Sequence, residues 1–370
     1  MNKSDGNISF CKPMDILSRL LLQPSDENAR APRATTQVQE ELQGLRGSEL
    51  KELQELAESN HVIVRAMEAI LETIRGGKNT ATEEWALHAL ATERSRIATA
   101  MVFLENICGA FHAGGCEVAV IKSLDHWPDL GSDLDLFTTA SFAEVWKILQ
   151  RFEARILPRS WGDRLACKFN FRVAGLQEAI EIHIGRLGQT GEHVSIAGPL
   201  MQRTRAIHAA GRVFRVPSIS DQLMISAMQR MYRHFYFRLC DIVDTGLLAD
   251  AGEIDYEELR ELAARSNIWS GVATYLRIVS DYWERYRGGG LDLPGFVAAS
   301  ASFGGEDVYY DRRFLRIPIL PQSARLYGLQ LVHLLGRGEL CSGARLSLLP
   351  GLATAAVIGQ RLTGSDKGIW

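Results

Sequence analysis

The apolar residues of this 370-residue chain change period twice, and that limits the folds open to it. Up to about Phe111 they recur at helical spacing. From Val118 and Val120 to Ile184 they alternate, and beyond Val216 they return to helical spacing. Alternation places successive side chains on opposite faces of a strand, whereas a period near 3.6 makes one stripe along a helix. The chain therefore reads as a small sheet-bearing unit with helical regions on both sides in sequence.

Within the first helical stretch, Met14 to Leu22 forms a short amphipathic helix and residues 24–36 are a flexible polar connector. Leu53, Leu56, Val62, Val64, Met67, Ile70 and Ile74 predict one helix from about Glu49 to the Gly76-Gly77 stop. A longer helix follows from Thr82 to Phe111, ended by Gly114-Gly115. Strands are expected at CEVAVIKS, at Asp133–Thr138, and at 154–160, 166–173 and 178–185, with a helix over 141–153. Residues 115–187 thus read β-β-α-β-β-β. Helices are expected from Ser220 to about Leu248, from Asp255 to Ser266 and from Trp269 to Arg285, and Gly288-Gly289-Gly290 reads as a linker. The expected organisation is a flexible arm over 1–48, a helical region over 49–114, an α/β (α+β) core with a small mixed sheet over 115–190, a helical domain over 191–287, and a C-terminal extension over 288–370.

Lys and Arg total 41 against 44 Asp and Glu, a net charge of −3, so no global positive field points to nucleic acid. The six cysteines, Cys11, Cys108, Cys116, Cys167, Cys240 and Cys341, form no CxxC pairs. That pattern argues against a zinc module or a disulfide scaffold and for reduced thiols in a cytoplasmic protein. The apolar run from Leu346 to Gln360 contains Pro and Gly and is too short for a spanning helix, so no membrane is expected.

The informative segment is Val120 to Phe137, VIKSLDHWPDLGSDLDLF. Asp133 and Asp135 share one face of a strand, with Leu134 and Leu136 on the other. Two carboxylates that close repel one another, and a divalent cation between them relieves the conflict. The later run AIEIHIG repeats the logic: Ile180, Ile182 and Ile184 share one face, Glu181 and His183 the opposite one. A third carboxylate beside an Asp-x-Asp pair suits a site for two metals about 3.5–4 Å apart.

Lys122-Ser123, a nine-residue spacer and Asp133-Leu134-Asp135-Leu136 resemble the signature of the polymerase β-like nucleotidyltransferase superfamily. Ile180-Glu181-Ile182-His183 is similar to its third-carboxylate strand. More narrowly, Lys122, Glu181-x-His183 and the stretch from His234 to Asp244 resemble the bacterial family described as uncharacterised nucleotidyltransferases. The likeness covers roughly residues 85–285. It implies a nucleotidyltransferase core and magnesium- or manganese-dependent transfer of a nucleoside monophosphate from an NTP to an acceptor, with release of pyrophosphate. The acceptor stays open between a protein, a small molecule and an RNA end. The likeness also implies that Asp133, Asp135 and Glu181 hold metal, with Glu181 helping to deprotonate the acceptor. Ser123 would hold phosphate, with Lys122, Gly131, Ser132 and His183 completing the nucleotide site. Two departures stand out: Lys122 occupies a position that is Gly in the broad superfamily, and Glu181 one where Asp is commoner. A degenerate fold used for binding or regulation, or a phosphotransferase, is the alternative.

Other residues have two readings each. His183 is a metal neighbour, a phosphate contact or a polar-face histidine, and His126 and Trp127 stack on a base or fill a turn. Arg159, Arg164 and Lys168 neutralise phosphate or sit solvated at a strand edge. His234, Arg238, Asp241 and Asp244 face nucleotide or form a polar network along one helix. No GxxxxGK[ST], G-x-S-x-G or H-E-x-x-H motif is present, which disfavours a P-loop NTPase, a serine hydrolase of that type and a zincin.

Overall fold

A computed structural model describes residues 12–23, 32–75, 80–351 and 355. The chain begins with five helices: α1 (Lys12–Leu22), α2 (Pro32–Gly44), α3 (Gly47–Ser59), α4 (Ile63–Thr73) and α5 (Thr80–Ala113). The flexible arm expected over 1–48 is, where described, largely helical. Met14, Ile16, Leu17 and Leu22 of α1 are fully or almost fully buried, and Val38, Leu42 and Leu45 line up at helical spacing and are buried too. Of the flexible connector expected over 24–36, residues 32–36 are instead the first turns of α2, and residues 24–31, like the Gly76-Gly77 stop, lie outside the described residues.

The helix expected from Glu49 onward is two. Residues 60–62 break it, with His61 at φ 53°, and the Asn60 side-chain amide bonds Leu56 O and Arg313 O, each at 3.0 Å. A left-handed residue cannot continue a right-handed helix, and the Asn60 contact to distant backbone makes the break a tertiary feature.

The alternating middle forms a five-stranded mixed sheet of order β1-β2-β5-β4-β3. Its strands are β1 (Val118–Val120), β2 (Asp133–Thr138), β3 (Arg155–Ile156), β4 (Lys168–Arg172) and β5 (Ala179–Ile184). Helix α6 (Phe142–Leu149) follows β2, and the one-turn α7 (Trp161–Leu165) precedes β4. Ser141 starts α6 with a reciprocal cap: its hydroxyl accepts from Glu144 N and its N–H donates to the Glu144 carboxylate. Strand β2 lies between β1, antiparallel to it, and β5, parallel to it. Leu134, Leu136, Ile180 and Ile182 are fully buried on one face, as the alternation requires.

Where a helical domain was expected from 191, α8 (Val194–Leu200) leads into a hairpin of β6 (Thr204–Ala209) and β7 (Arg212–Pro217). Phe214 and Val216 are buried while Val213 and Arg215 are exposed, the period of two that marks a strand with one face on the core. The long helix expected over Ser220–Leu248 is also divided. Helix α9 (Ile219–Ala227) widens into a π-helical turn at Met228–His234, Phe235 turns left-handed at φ 56°, and β8 (Tyr236–Phe237) precedes α10 (Leu239–Asp250). Tyr236 and Phe237 pair with Arg316 and Leu315, which a linear reading of the helix cannot foresee.

Helices α11 (Tyr256–Arg265), capped by Asp255, and α12 (Trp269–Arg287) match expectation closely. Gly288, at φ 76°, ends α12, and Leu291 N donates to Ser280 Oγ at 3.0 Å, so residues 288–291 fold back onto α12. Helix α13 (Gly295–Ser300), β9 (Tyr309–Asp311), β10 (Phe314–Arg316), α14 (Ala324–Gly336) and α15 (Leu340–Ser347) complete the described chain. One hydrophobic core runs from Met14 to Leu326, joining N-terminal helices, sheet and C-terminal segments. Among the described residues no helix is long and apolar enough to cross a membrane.

Candidate functional site

The register of β2 and β5 places Asp135 directly opposite Glu181 and Phe137 opposite His183. Since β2 alternates, Asp133 falls on the same polar face. Those positions bring together Asp133, Asp135, Glu181 and His183. The face is covered by the π-helical turn and the residues after it. Between them lies a cavity of about 180 Å³, lined by the three carboxylates, Lys122, Ser123, Gly131 and Ser132 below and Arg230, Arg233, His234 and Arg238 above.

Lys122 stands at the end of β1 with φ 61°, the left-handed region where glycine is unstrained and other residues are held at a cost of about 1–3 kcal/mol. Its ammonium ion-pairs with Asp135 and lies 3.2 Å from Glu181 Oε1 and 3.3 Å from His183 Nε2. Burial alone would push Lys122 down, but Asp135 and Glu181 outweigh it and hold the ammonium charged. Lys122 thus bridges two of the three carboxylates.

Glu181 is held from two sides. Lys168 Nζ lies 2.8 Å from its other oxygen and 3.0 Å from Asp163, and His183 Nε2 lies 2.9 Å from Oε1. Burial acts to raise Glu181, yet Lys122, Lys168 and His183 keep it well below the usual carboxylate range. Asp133 behaves oppositely. Burial, then repulsion from Asp135 and Glu181, pushes it up to about 6, with Ser132 Oγ donating to it at 3.2 Å. Among the described residues Asp133 has no cationic partner within ion-pair distance. Nδ1 of His183 is buried and has no hydrogen-bond partner among the described residues.

Ser123 has a backbone role that its sequence position does not reveal. Its hydroxyl donates to Asp133 O at 3.1 Å and accepts from Asp135 N at 2.7 Å, clipping the loop onto β2. Its own N–H donates to Ile121 O at 2.6 Å. The hydroxyl proton and the N–H are therefore both engaged by the chain. Gly131 lies so close to His61 that a Cβ there would come within 2.9 Å of His61 Cε1.

Reading along the chain missed Arg230, Arg233 and His61. Arg230 is buried and paired with Asp241 at 2.7 Å. Neither the Arg233 nor the Arg238 guanidinium has a carboxylate partner among the described residues, and the Nε atom of each is buried and unbonded. Burial, with Arg233, Arg230 and Arg238 alongside, holds His234 neutral, well below its ordinary value. The available signal was the basic spacing Arg230, Arg233, His234, hidden inside an apparently continuous helix. Asp241 and Asp244 do not reach the cavity as nucleotide contacts: Asp241 pairs with Arg230, and Asp244 with Arg65 and His126. Arg159 stacks on Phe169 and Arg164 lies over Trp161, both outside the cavity lining.

A larger cavity, about 730 Å³, adjoins the first through His61, Gly131 and Ser132. Glu58, Glu93, Arg96, Gln177 and Glu178 contribute to its lining, and Arg96 is locked to Glu93, Glu178 and the carbonyls of Leu130 and Gly131. No protein-family model, curated protein or solved structure matches this chain.

Proposed function

We propose that the chain is a divalent-cation-dependent nucleotidyltransferase that moves a nucleoside monophosphate from an NTP to an acceptor hydroxyl and releases pyrophosphate. The observation that carries this reading is the matched register of Asp133 and Asp135 on β2 with Glu181 on parallel β5, facing Arg233 and Arg238 across a cavity. Carboxylates for a cation and unpaired guanidinium groups for phosphates are the two halves of a triphosphate site.

The donor set fits a hard cation. Asp133 is repelled by its neighbours and has no ion-pair partner among the described residues, and the oxygen-rich cluster suits magnesium, with manganese as the alternative. Asp133, Asp135 and Glu181 would hold it, and it would supply charge neutralisation at the phosphates and acidify the acceptor hydroxyl. Arg233 and Arg238 bind phosphate oxygens, and the neighbouring neutral His234 adds no further charge. Glu181, kept ionised by its lysines, accepts the acceptor's proton. Lys122 turns its ammonium from the carboxylates to the phosphates when NTP binds. The adjoining polar cavity receives the acceptor, be it a protein hydroxyl, a small molecule or an RNA end.

The Lys122 bridge favours a second reading. A lysine already neutralising Asp135 and Glu181 is what a catalytically degenerate binding module would retain. Thermal stabilisation by each NTP, with and without magnesium, tests both on wild type and an Asp133→Asn/Asp135→Asn double variant. An NTP at about 100 times its Kd adds roughly 2.7 kcal/mol. Stabilisation that needs magnesium and is lost in the variant, followed by transfer of α-labelled phosphate, is expected for the enzyme. Metal-independent binding without transfer, or no nucleotide binding at all, overturns the enzyme and supports the degenerate module.

A further inference from the structure

A second group of ligating side chains, two of which line the cavity, is drawn from three separated parts of the chain. His61 lies in the turn between α3 and α4, His126 in the loop between β1 and β2, and Cys240 in the first turn of α10. Their donor atoms all lie within 4.8 Å of one another. We propose that His61, His126 and Cys240 form a site for a transition-metal ion of the zinc type, distinct in its ligands from the carboxylate cluster.

The donors select the metal. Two imidazole nitrogens and a thiolate suit zinc or cobalt and are poor ligands for magnesium. With metal–nitrogen bonds of about 2.0–2.1 Å and a metal–sulfur bond of about 2.3 Å, tetrahedral donors stand roughly 3.3–3.6 Å apart, so the cluster needs only a small closure. The two imidazole rings are edge-on, with centroids 5.9 Å apart and planes at 64°, not stacked.

The surroundings hold each ligand in place. His126 Nδ1 is 2.6 Å from Asp244 Oδ2, which leaves Nε2 as the ligating nitrogen. Asp244 lies one helical turn after Cys240, and its other oxygen is held by Arg65, which also bonds Asp129. A carboxylate behind a histidine is the usual support for a metal-bound imidazole. Asn60 ties the other two ligands together. Its side-chain oxygen accepts from Leu239 N at 2.9 Å and its carbonyl from Cys240 N at 3.3 Å. His61 is also held at φ 53°, a conformation in which glycine is unstrained.

Binding forms two nitrogen–metal bonds and one sulfur–metal bond and releases to solvent the Cys240 thiol proton and the proton that His126 carries on Nε2 when it is an imidazolium beside Asp244. Since His61 and His126 line the cavity over the carboxylates, the fourth position is open to water. The ion joins the α3–α4 turn, the β1–β2 loop and α10 around one side of the cavity.

The test is titration of the chelator-stripped full chain with Co²⁺. One equivalent should give a thiolate-to-cobalt charge-transfer band, and zinc should displace it. Cys240→Ser should abolish the band, and Asp244→Asn should weaken cobalt binding about 10–100-fold. The Asp133→Asn/Asp135→Asn variant should keep the band unchanged, which separates this site from the proposed magnesium site. Should Cys240→Ser not fold, His61→Gln provides the second measurement, with the band retained and affinity reduced at least about tenfold. No band in wild type, a band that survives Cys240→Ser, or one that disappears in the double aspartate variant would overturn the site. Unchanged affinity in His61→Gln would do the same.

Discussion

Lys122 and Glu181, 59 positions apart in the chain, meet with the ammonium 3.2 Å from the carboxylate. Because the same ammonium pairs with Asp135, one lysine carries much of the electrostatic balance of the sheet's polar face. Removing it should leave two buried carboxylates in repulsion. Lys122→Met is expected to lose about 3–5 kcal/mol in EDTA, with most of it recovered in saturating magnesium. Denaturant unfolding in the two conditions measures this, and equal stability of variant and wild type in EDTA would count against the bridge.

Asp133 and Glu181 should respond to neutralisation with opposite sign. Asp133 ionises at about 6 in the fold against an ordinary 3.8, so the fold disfavours its charged form. That penalty is absent below about pH 4, grows as pH rises, and is complete above about pH 6, reaching roughly 3 kcal/mol at most. Without metal, Asp133→Asn is therefore expected to stabilise the chain at neutral pH, with the gain fading toward pH 4. A gain independent of pH would refute the electrostatic account.

Glu181 is held well below the usual carboxylate range, so its stabilising contribution is complete above its unfolded value. It is lost as pH falls through the folded one. Glu181→Gln leaves Lys122 and Lys168 short of a counter-charge and should cost about 3–5 kcal/mol at neutral pH. Unfolding measured beside Asp133→Asn decides the matter; a shared sign would sink it.

Arg233 and Arg230 separate binding from stability. Arg233 has no carboxylate partner among the described residues, so Arg233→Ala should leave the melting temperature nearly unchanged. It should weaken NTP binding at least about tenfold, the worth of one charged hydrogen bond. Arg230→Met strands the buried Asp241 and should destabilise by about 3–5 kcal/mol whether or not nucleotide is present. Calorimetry and thermal melts on the two variants would reveal any exchange of these roles.

Gly131 tests the packing between the two cavities. A Cβ there meets the His61 ring at 2.9 Å, and His61 is fixed in its turn by neighbouring backbone bonds. Gly131→Ala should cost about 1–3 kcal/mol through overpacking. Because His61 is a ligand of the proposed zinc-type site, the variant should also weaken cobalt binding, read from the same charge-transfer band.

What the sequence determined by itself was local. A period of two assigns faces within a strand, so Asp133 with Asp135 and Glu181 with His183 were legible, as were the bounds of β2 and the long helix before it. Whether the two strands would be neighbours, parallel, and in the register that sets Asp135 against Glu181 is a long-range pairing that no local pattern carries. The same limit hid the break at Asn60, whose side chain bonds Arg313, and the break at Phe235, whose neighbours pair with β10. Alternation could not say that Lys122 would turn left-handed and lay its ammonium across two carboxylates. Cysteine spacing argued against a zinc module, yet His61, His126 and Cys240 converge because three separate elements pack around one cavity. Local periodicity chooses which way a side chain faces; only the packed chain chooses what it faces.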